Sequence, residues 1–221
     1  NCCLADMKSI LTGGFTMGNL DYAEPHSLDV AFDLVADVAM NMAAAQYGGY
    51  TISEIDKLLA PYAKKSYDNY LKEYLNIQPS ATYKEADEWA FNKTKREAEQ
   101  GFQGWEMKFN SVASSRGDYP FLAVSFGLGA DKFESMLSST CMKVRKNGQG
   151  KPGFKHPVLF PKLSFFYDEN LHDEGKELEW LFNEAVDCSH KCMYPDFLSC
   201  TGDGYAPSIY KKYGVTISRM G

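Results

Sequence analysis

The run Phe121-Leu122-Ala123-Val124-Ser125-Phe126-Gly127 constrains the fold more than any other stretch of this chain. It is short, mostly apolar and rich in aromatic residues, which predicts a strand covered on both faces, as strands of parallel sheets are. Gly127-Leu128-Gly129 ends it, and a helix is expected over 131–145. The pattern then repeats, with a strand over 159–166, a helix over 175–190 and a third strand over 193–198. Strands that alternate with long helices require crossovers, so the fold class is α/β.

The first half is mostly helical. The opening run, ending near Leu11, reads as a short buried strand and turn, punctuated by Thr12-Gly13-Gly14. After a loop over 21–26, Ser27 is a good N-cap for a helix over 28–45. Phe32, Val35, Val38, Ala39 and Met42 form its stripe, and Leu28, Ala31 and Leu34 widen it to two apolar faces. Gly48 and Gly49 close the helix as backbone devices. Thr51-Ile52-Ser53-Glu54 reads as a capping box. It opens a helix that Pro61 kinks or restarts and that continues through Tyr74. A third helix is expected over 83–109, a mobile loop over 147–153, and loop over 201–213.

Composition excludes several functions. Of 221 residues 44% are hydrophobic and 14% aromatic, which fits a compact globular chain and not a disordered one. The net charge of −6 comes without basic clusters, so no nucleic-acid partner is expected. Lys64-Lys65 and Lys143-Val144-Arg145-Lys146 read as solvated. No apolar stretch is long enough to span a membrane. Six cysteines are too few to be the main source of stability in a chain this large, so reduced thiols and a cytoplasmic location are expected. Cys188 and Cys192 flank His190 at a spacing that suits zinc, but no second ligand pair follows, and core roles are expected. The chain lacks a complete dinucleotide fingerprint, a phosphate-binding loop and a Ser/His/Asp set. It opens on Asn1-Cys2-Cys3 and stops at Met220-Gly221, which reads as a piece of a larger protein.

Several blocks, in order, resemble the anaerobic (class III, glycyl-radical) ribonucleoside-triphosphate reductases. They are Asn1-Cys2, Phe15-Thr16-Met17-Gly18-Asn19, Gln46-Tyr47-Gly48-Gly49 and Ile55-Asp56-Lys57-Leu58-Leu59-Ala60-Pro61. Pro120-Phe121, Phe126-Gly127-Leu128-Gly129, Phe160-Pro161-Lys162-Leu163, Met193-Tyr194-Pro195-Asp196 and Met220-Gly221 follow. The resemblance implies part of a ten-stranded α/β barrel built from two half-barrels around a finger loop. Residues 1–116 would give the first strand and the dimer and effector helices. Residues 117–221 would give further strands and the start of the finger loop.

It also implies a reaction: the ribose 2′-hydroxyl of a ribonucleoside triphosphate is replaced by hydrogen. A glycyl radical, installed by an iron-sulfur/S-adenosylmethionine (radical-SAM) activase, generates a thiyl radical on a finger-loop cysteine, and formate is the reductant. Cys2 matches the second cysteine, which faces the substrate and passes hydrogen to it. Burial would keep that thiol protonated. Asn1, Met220 and Gly221 match substrate contacts. Cys3 is the weaker candidate, since alternation on a strand points it to the opposite face. ATP or dNTP effectors are implied at Glu24, His26 and Asp37, and the helix over 28–45 at a homodimer contact. The family's radical cysteine, glycyl-radical segment, structural zinc site and ATP cone have no counterpart in these residues, so the fragment itself is expected to be inactive. Ala23, His26, Asp37 and Asn69 depart from the family's effector residues, and Cys192 from an arginine.

Simpler readings stand beside these. Cys2 could be a small buried strand residue, Lys162 a strand-edge lysine, and His26 an exposed loop residue or an anion contact. Two other functions compete with the reductase. One is a non-catalytic nucleotide-binding or dimerisation module; the other is a glycyl-radical enzyme of the pyruvate formate-lyase type. The catalytic reading requires Cys2 to face a cavity beside Met220 and Gly221.

Overall fold

The computed structural model describes residues 2–45, 48–111, 117 and 119–219. A five-stranded parallel sheet organises the chain, in the order β1 (Cys3–Ala5), β4 (Tyr50–Ile52), β5 (Leu122–Phe126), β6 (Lys162–Tyr167), β7 (Asp196–Ser199). Each new strand adds to the same edge. Crossovers of one hand, winding always in one direction, must put their helices on one face. Those helices are α2 (Leu28–Ala45), α3 (Ile55–Ile77), α4 (Tyr83–Ser111), α5 (Lys132–Asn147) and α7 (Glu179–Cys192). Ile52, Leu122, Val124, Phe126, Leu163 and Phe165 meet them in one core. This singly wound arrangement is a mixed α/β fold consistent with part of an α/β barrel.

The helix layer locks through aromatic packing. Phe32 of α2 lies edge-on to Phe102 and Trp105 of α4, with centroids 4.9 Å apart in both pairs. The Trp105 indole N–H donates to the Phe32 carbonyl at 2.9 Å. Beneath α4, Arg145 Nε and Glu106 Oε1 form an ion pair at 2.6 Å. Arg145 is 1% exposed, so it does not belong to the solvated basic run expected over 143–146. Its Nη2 also donates to the Pro161 carbonyl at 2.7 Å, which joins α5 to the entrance of β6. Cys188 and Cys192 of α7 donate weakly to the carbonyls of Met142 and Arg145, as packed thiols do. All six cysteines are free.

Several elements differ from the sequence expectation. The opening strand is short and leads into α1 (Met7–Gly13), because Met7 and Leu11, one turn apart, are both buried and Asp6 caps the Ser9 amide. The Phe15–Asn19 stretch joins a hairpin of β2 (Phe15–Met17) and β3 (Leu20–Tyr22). Thr51 and Ile52 do not form a capping box. They pair with β1 and β5 as strand residues, and Glu54 takes the N-cap position of α3 in the left-handed conformation without a side-chain cap. Pro61 sits inside an unbroken α3. A mid-helix proline costs about 3 kcal/mol, here outweighed by burial of Leu58, Leu59, Tyr62 and Ala63 around it. Gln149 and His156 close the 147–153 loop with paired backbone bonds of 2.9 and 3.1 Å. The short α6 (Glu169–His172) precedes α7, and the 201–213 stretch contains α8 (Tyr205–Tyr213) after β7. Ala206, Ile209 and Tyr210 are half-buried on one side of α8, and Tyr210 packs against Leu128, Phe166 and Cys200. Among the described residues no helix is long and apolar enough to cross a membrane.

Candidate active site

The second face of the sheet carries different chemistry from the first. Leu4, Thr51, Ala123 and Lys162 stand in register across four strands, and Ser125, Ser164 and Asp196 form the next row. Side chains alternate along a strand, so these residues point away from the helices. Cys3 and Ala5 pack against the helix-side core; alternation therefore puts Cys2 on the face of Leu4 and Thr51. Cys2 is exposed, and its Sγ accepts the Gly49 amide at 3.4 Å. The burial expected for this thiol is not supplied by the described residues. Lys162 places its ammonium 4.2 Å from the centre of the Phe121 ring, at the start of β6.

Residues 216–219 lie across this face. Thr216 Oγ1 donates to Glu54 Oε2 at 3.3 Å. Further along, Ser218 Oγ is 2.8 Å from Ser53 Oγ and 2.7 Å from Ser125 Oγ, and the last two are 3.1 Å apart. Next, Thr51 Oγ1 donates to the Arg219 carbonyl at 2.9 Å, while the Arg219 guanidinium pairs with Asp196. The contacts step from the C-terminal ends of β4 and β5 towards their N-terminal ends. Cys2 lies one alternation beyond the Leu4–Thr51 row in that same direction.

Glu54 sits where this segment turns onto the sheet, with φ of 51°. A non-glycine residue in that region carries strain, which is retained where surrounding contacts hold it. Its N–H donates to Ser125 Oγ at 3.2 Å, and its carboxylate takes Lys57 at 2.7 Å as well as Thr216.

The turn after β5 is held from below. Gly127 has φ of 121°, and a Cβ there would come within 2.9 Å of the Phe165 ring and 3.0 Å of the Phe166 carbonyl. Asp56, fully buried, accepts the amides of Gly127 and Gly129 and the Ser138 hydroxyl on one carboxylate oxygen, at 2.9, 3.2 and 3.1 Å. Burial raises its pKa against those hydrogen bonds. On the other side, buried His172 accepts the Asp168 amide at Nδ1, so Nε2 carries the proton and donates to the Gly127 carbonyl at 2.9 Å. Burial lowers the imidazole pKa. Both groups are structural supports.

The effector candidates are not brought together by any described contact. Glu24 pairs with Lys65 of α3 at 2.6 Å, Asp37 lies 3.9 Å from Lys108 of α4, and His26 is exposed beside the start of α2. A pocket of about 200 Å³ between α2 and α4 is lined by Asp29, Phe32, Asp33, Glu97 and Trp105 among others, and by none of the three candidates. Asn1, Met220 and Gly221 lie outside the described residues, as do Gln46 and Tyr47. Sequence reasoning missed the hydroxyl set Thr51, Ser53, Ser125 and Ser218. Its one signal was Ser125, the sole polar side chain in an apolar strand.

Comparison with known proteins identifies the lineage of this arrangement. The family model described as anaerobic ribonucleoside-triphosphate reductase matches residues 1–219. A protein of that name from Enterobacteria phage T4 is 34% identical over 203 residues, which cover 90% of this chain and 32% of the relative. The Escherichia coli (strain K12) protein of the same name is 34% identical over 202 residues, covering 90% of this chain and 27% of its own length. The Haemophilus influenzae (strain ATCC 51907 / DSM 11121 / KW20 / Rd) protein is 33% identical, with the same coverages. The chain thus spans about a third or less of the relatives it matches. With a parallel sheet, a hydroxyl-lined face and a matching family model over nearly every residue, this chain belongs to the anaerobic ribonucleoside-triphosphate reductase family.

Proposed function

We propose that the hydroxyl face is the substrate side of a ribonucleoside-triphosphate reductase, and that Cys2 is its hydrogen-donating thiol. The observation that carries this reading is the course of residues 216–219, which step down the sheet towards the row of Cys2. An exposed thiol on that face can be reached by a ribose lying over it, and a weak S–H bond suits hydrogen-atom donation. The radical machinery of the full-length protein, a glycyl radical installed by a radical-SAM activase with formate as reductant, supplies the hydrogen-abstracting group when present. The task of these residues is to hold the nucleotide, to keep the S–H of Cys2 turned towards the 2′ position of the ribose, to which it would pass its hydrogen, and to exclude solvent. Asn1, Met220 and Gly221 are proposed as substrate contacts on the resemblance already described.

We further place the chain in the first half of a ten-stranded barrel, in a cytoplasmic homodimer with α2 at the contact. Val30 and Met42, 45% and 42% exposed on α2, support a partner there. ATP or dNTP effectors are assigned to the Glu24 and His26 end of α2 with Asp37, supported by the exposure of His26 at a helix start. The test is Cys2→Ser in the full-length protein. Deoxynucleotide formation is expected to vanish while the glycyl radical signal and the melting temperature stay at wild-type values. Retention of activity in this variant would remove Cys2 from the chemistry.

A further inference from the structure

The three hydroxyls of Ser53, Ser125 and Ser218 form a closed triangle with sides of 2.7, 2.8 and 3.1 Å. Ser125 and Ser218 are 0% and 5% exposed. A buried hydroxyl must find partners or destabilise the fold. In this triangle each oxygen can donate once and accept once around the ring. Ser125 accepts in addition from the Glu54 amide, so the triangle is tied to the strained left-handed residue at the head of α3. Thr216 reaches the carboxylate of that same residue. Two independent features, a buried polar triangle and a retained backbone strain, therefore converge on one four-residue stretch. A loop held only for stability would be anchored as well by apolar packing, without the desolvation cost of the two buried hydroxyls.

We infer that Ser53 and Ser125 form a socket for Ser218 that fixes where residues 216–219 lie on the sheet, making all three positioning residues for the chemistry at Cys2. The reason is geometric. The Ser218 row and the Thr51 row are adjacent along the strands, and with Ser218 seated on Ser53 and Ser125 the next carbonyl, that of Arg219, accepts from Thr51. A slip of the segment by one residue would move the following residues by about 3.3 Å, enough to lose hydrogen transfer to or from a substrate over Cys2. This inference rests on the reductase reading for its effect on turnover, but not for its effect on the segment.

The experiment uses full-length protein carrying Ser218→Ala, Ser125→Ala or Ser218→Thr, the last keeping the hydroxyl. Amide hydrogen exchange of residues 217–219 is expected to speed up about tenfold in the two alanine variants. In the same variants kcat is expected to fall by about a hundredfold, with KM for the ribonucleoside triphosphate and the glycyl radical signal close to wild type. Ser218→Thr is expected to restore both exchange and kcat. Unchanged exchange in Ser218→Ala overturns the socket whatever the activity. Faster exchange with unchanged kcat overturns the positioning role. If an alanine variant does not fold, Ser53→Ala, at a half-buried position, takes its place with the same expected outcomes. Should wild type make no deoxynucleotide, the reductase reading fails, and exchange alone still decides for or against the socket.

Discussion

Asp56 Oδ2, in the first turn of α3, accepts the backbone amide of Gly127 at 2.9 Å across 71 residues of sequence. The same oxygen holds Gly129 and Ser138, so one buried carboxylate joins α3, the end of β5 and α5. Asp56→Asn would turn an N–H₂ group, or a weaker acceptor, towards donors that have no water to replace it. A loss of about 1.5–3 kcal/mol is expected, the range of hydrogen bonds to charged groups, measured by urea denaturation. A loss under about 0.5 kcal/mol would show that the turn holds itself.

His172 gives the fold a pH dependence whose sign follows from its lowered pKa. The unfolded imidazole titrates near its ordinary value of 6.5 and the folded one below it. The unfolded state therefore binds more protons as pH falls through this range. The contribution of His172 is fully present above pH 6.5 and is lost as pH falls towards the folded pKa. The slope it adds cannot exceed about 1.4 kcal/mol per pH unit. His172→Gln is expected to flatten the stability profile between neutral and mildly acidic pH, and an unchanged slope would exclude this histidine as its source.

Two glycines of α4 should respond to alanine with opposite signs. At Gly104 a Cβ meets nothing within 4 Å, so Gly104→Ala is expected to stabilise the helix by about 0.5–1 kcal/mol. At Gly101 it would lie 2.3 Å from the ring of Phe32, itself wedged between Phe102 and Trp105. Gly101→Ala is expected to destabilise by about 1–3 kcal/mol. Thermal melting of the two variants side by side gives the comparison, and equal signs would refute the close approach of α2 and α4.

The Arg145–Glu106 pair should matter more when broken than when replaced. Arg145→Met alone leaves the Glu106 carboxylate buried with Gln149 as its side-chain donor at 2.8 Å, and a loss of about 3–5 kcal/mol is expected. Adding Glu106→Leu should recover much of it, because the unpaired charge is gone. A double variant as unstable as the single one would mean that the pair organises the Pro161 entrance by itself.

The sequence was most legible where periodicity and burial agreed. Leu28–Ala45 shows its stripe, and the structure places α2 over the same residues. Phe121–Gly127 reads as a strand because a run that short and apolar has few alternatives. Thr51 misled because Tyr50-Thr51-Ile52 suits a strand while Thr51 with the Glu three positions on suits a capping box, and only pairing with β1 and β5 selects the strand. The α8 helix was hidden by Gly202, Gly204 and Pro207, which read as loop, although a proline is tolerated in a first helical turn and Ala206, Ile209 and Tyr210 do share one face. Within the candidate site, Cys2 stood out through its motif. The serine triangle did not, because Ser53, Ser125 and Ser218 are far apart in sequence and each is unremarkable alone.

The two faces of the sheet have a consequence for how such a chain can diverge. Along β5 the residues Leu122, Val124 and Phe126 serve cohesion, and Ala123 and Ser125 between them serve the opposite side. Substitution tolerance along each strand should therefore rise and fall with a period of two residues. Volume would limit change at one set of positions and hydrogen-bonding capacity at the other. Selection can then act on durability and on reactivity through alternate residues of the same few strands, with little conflict between them.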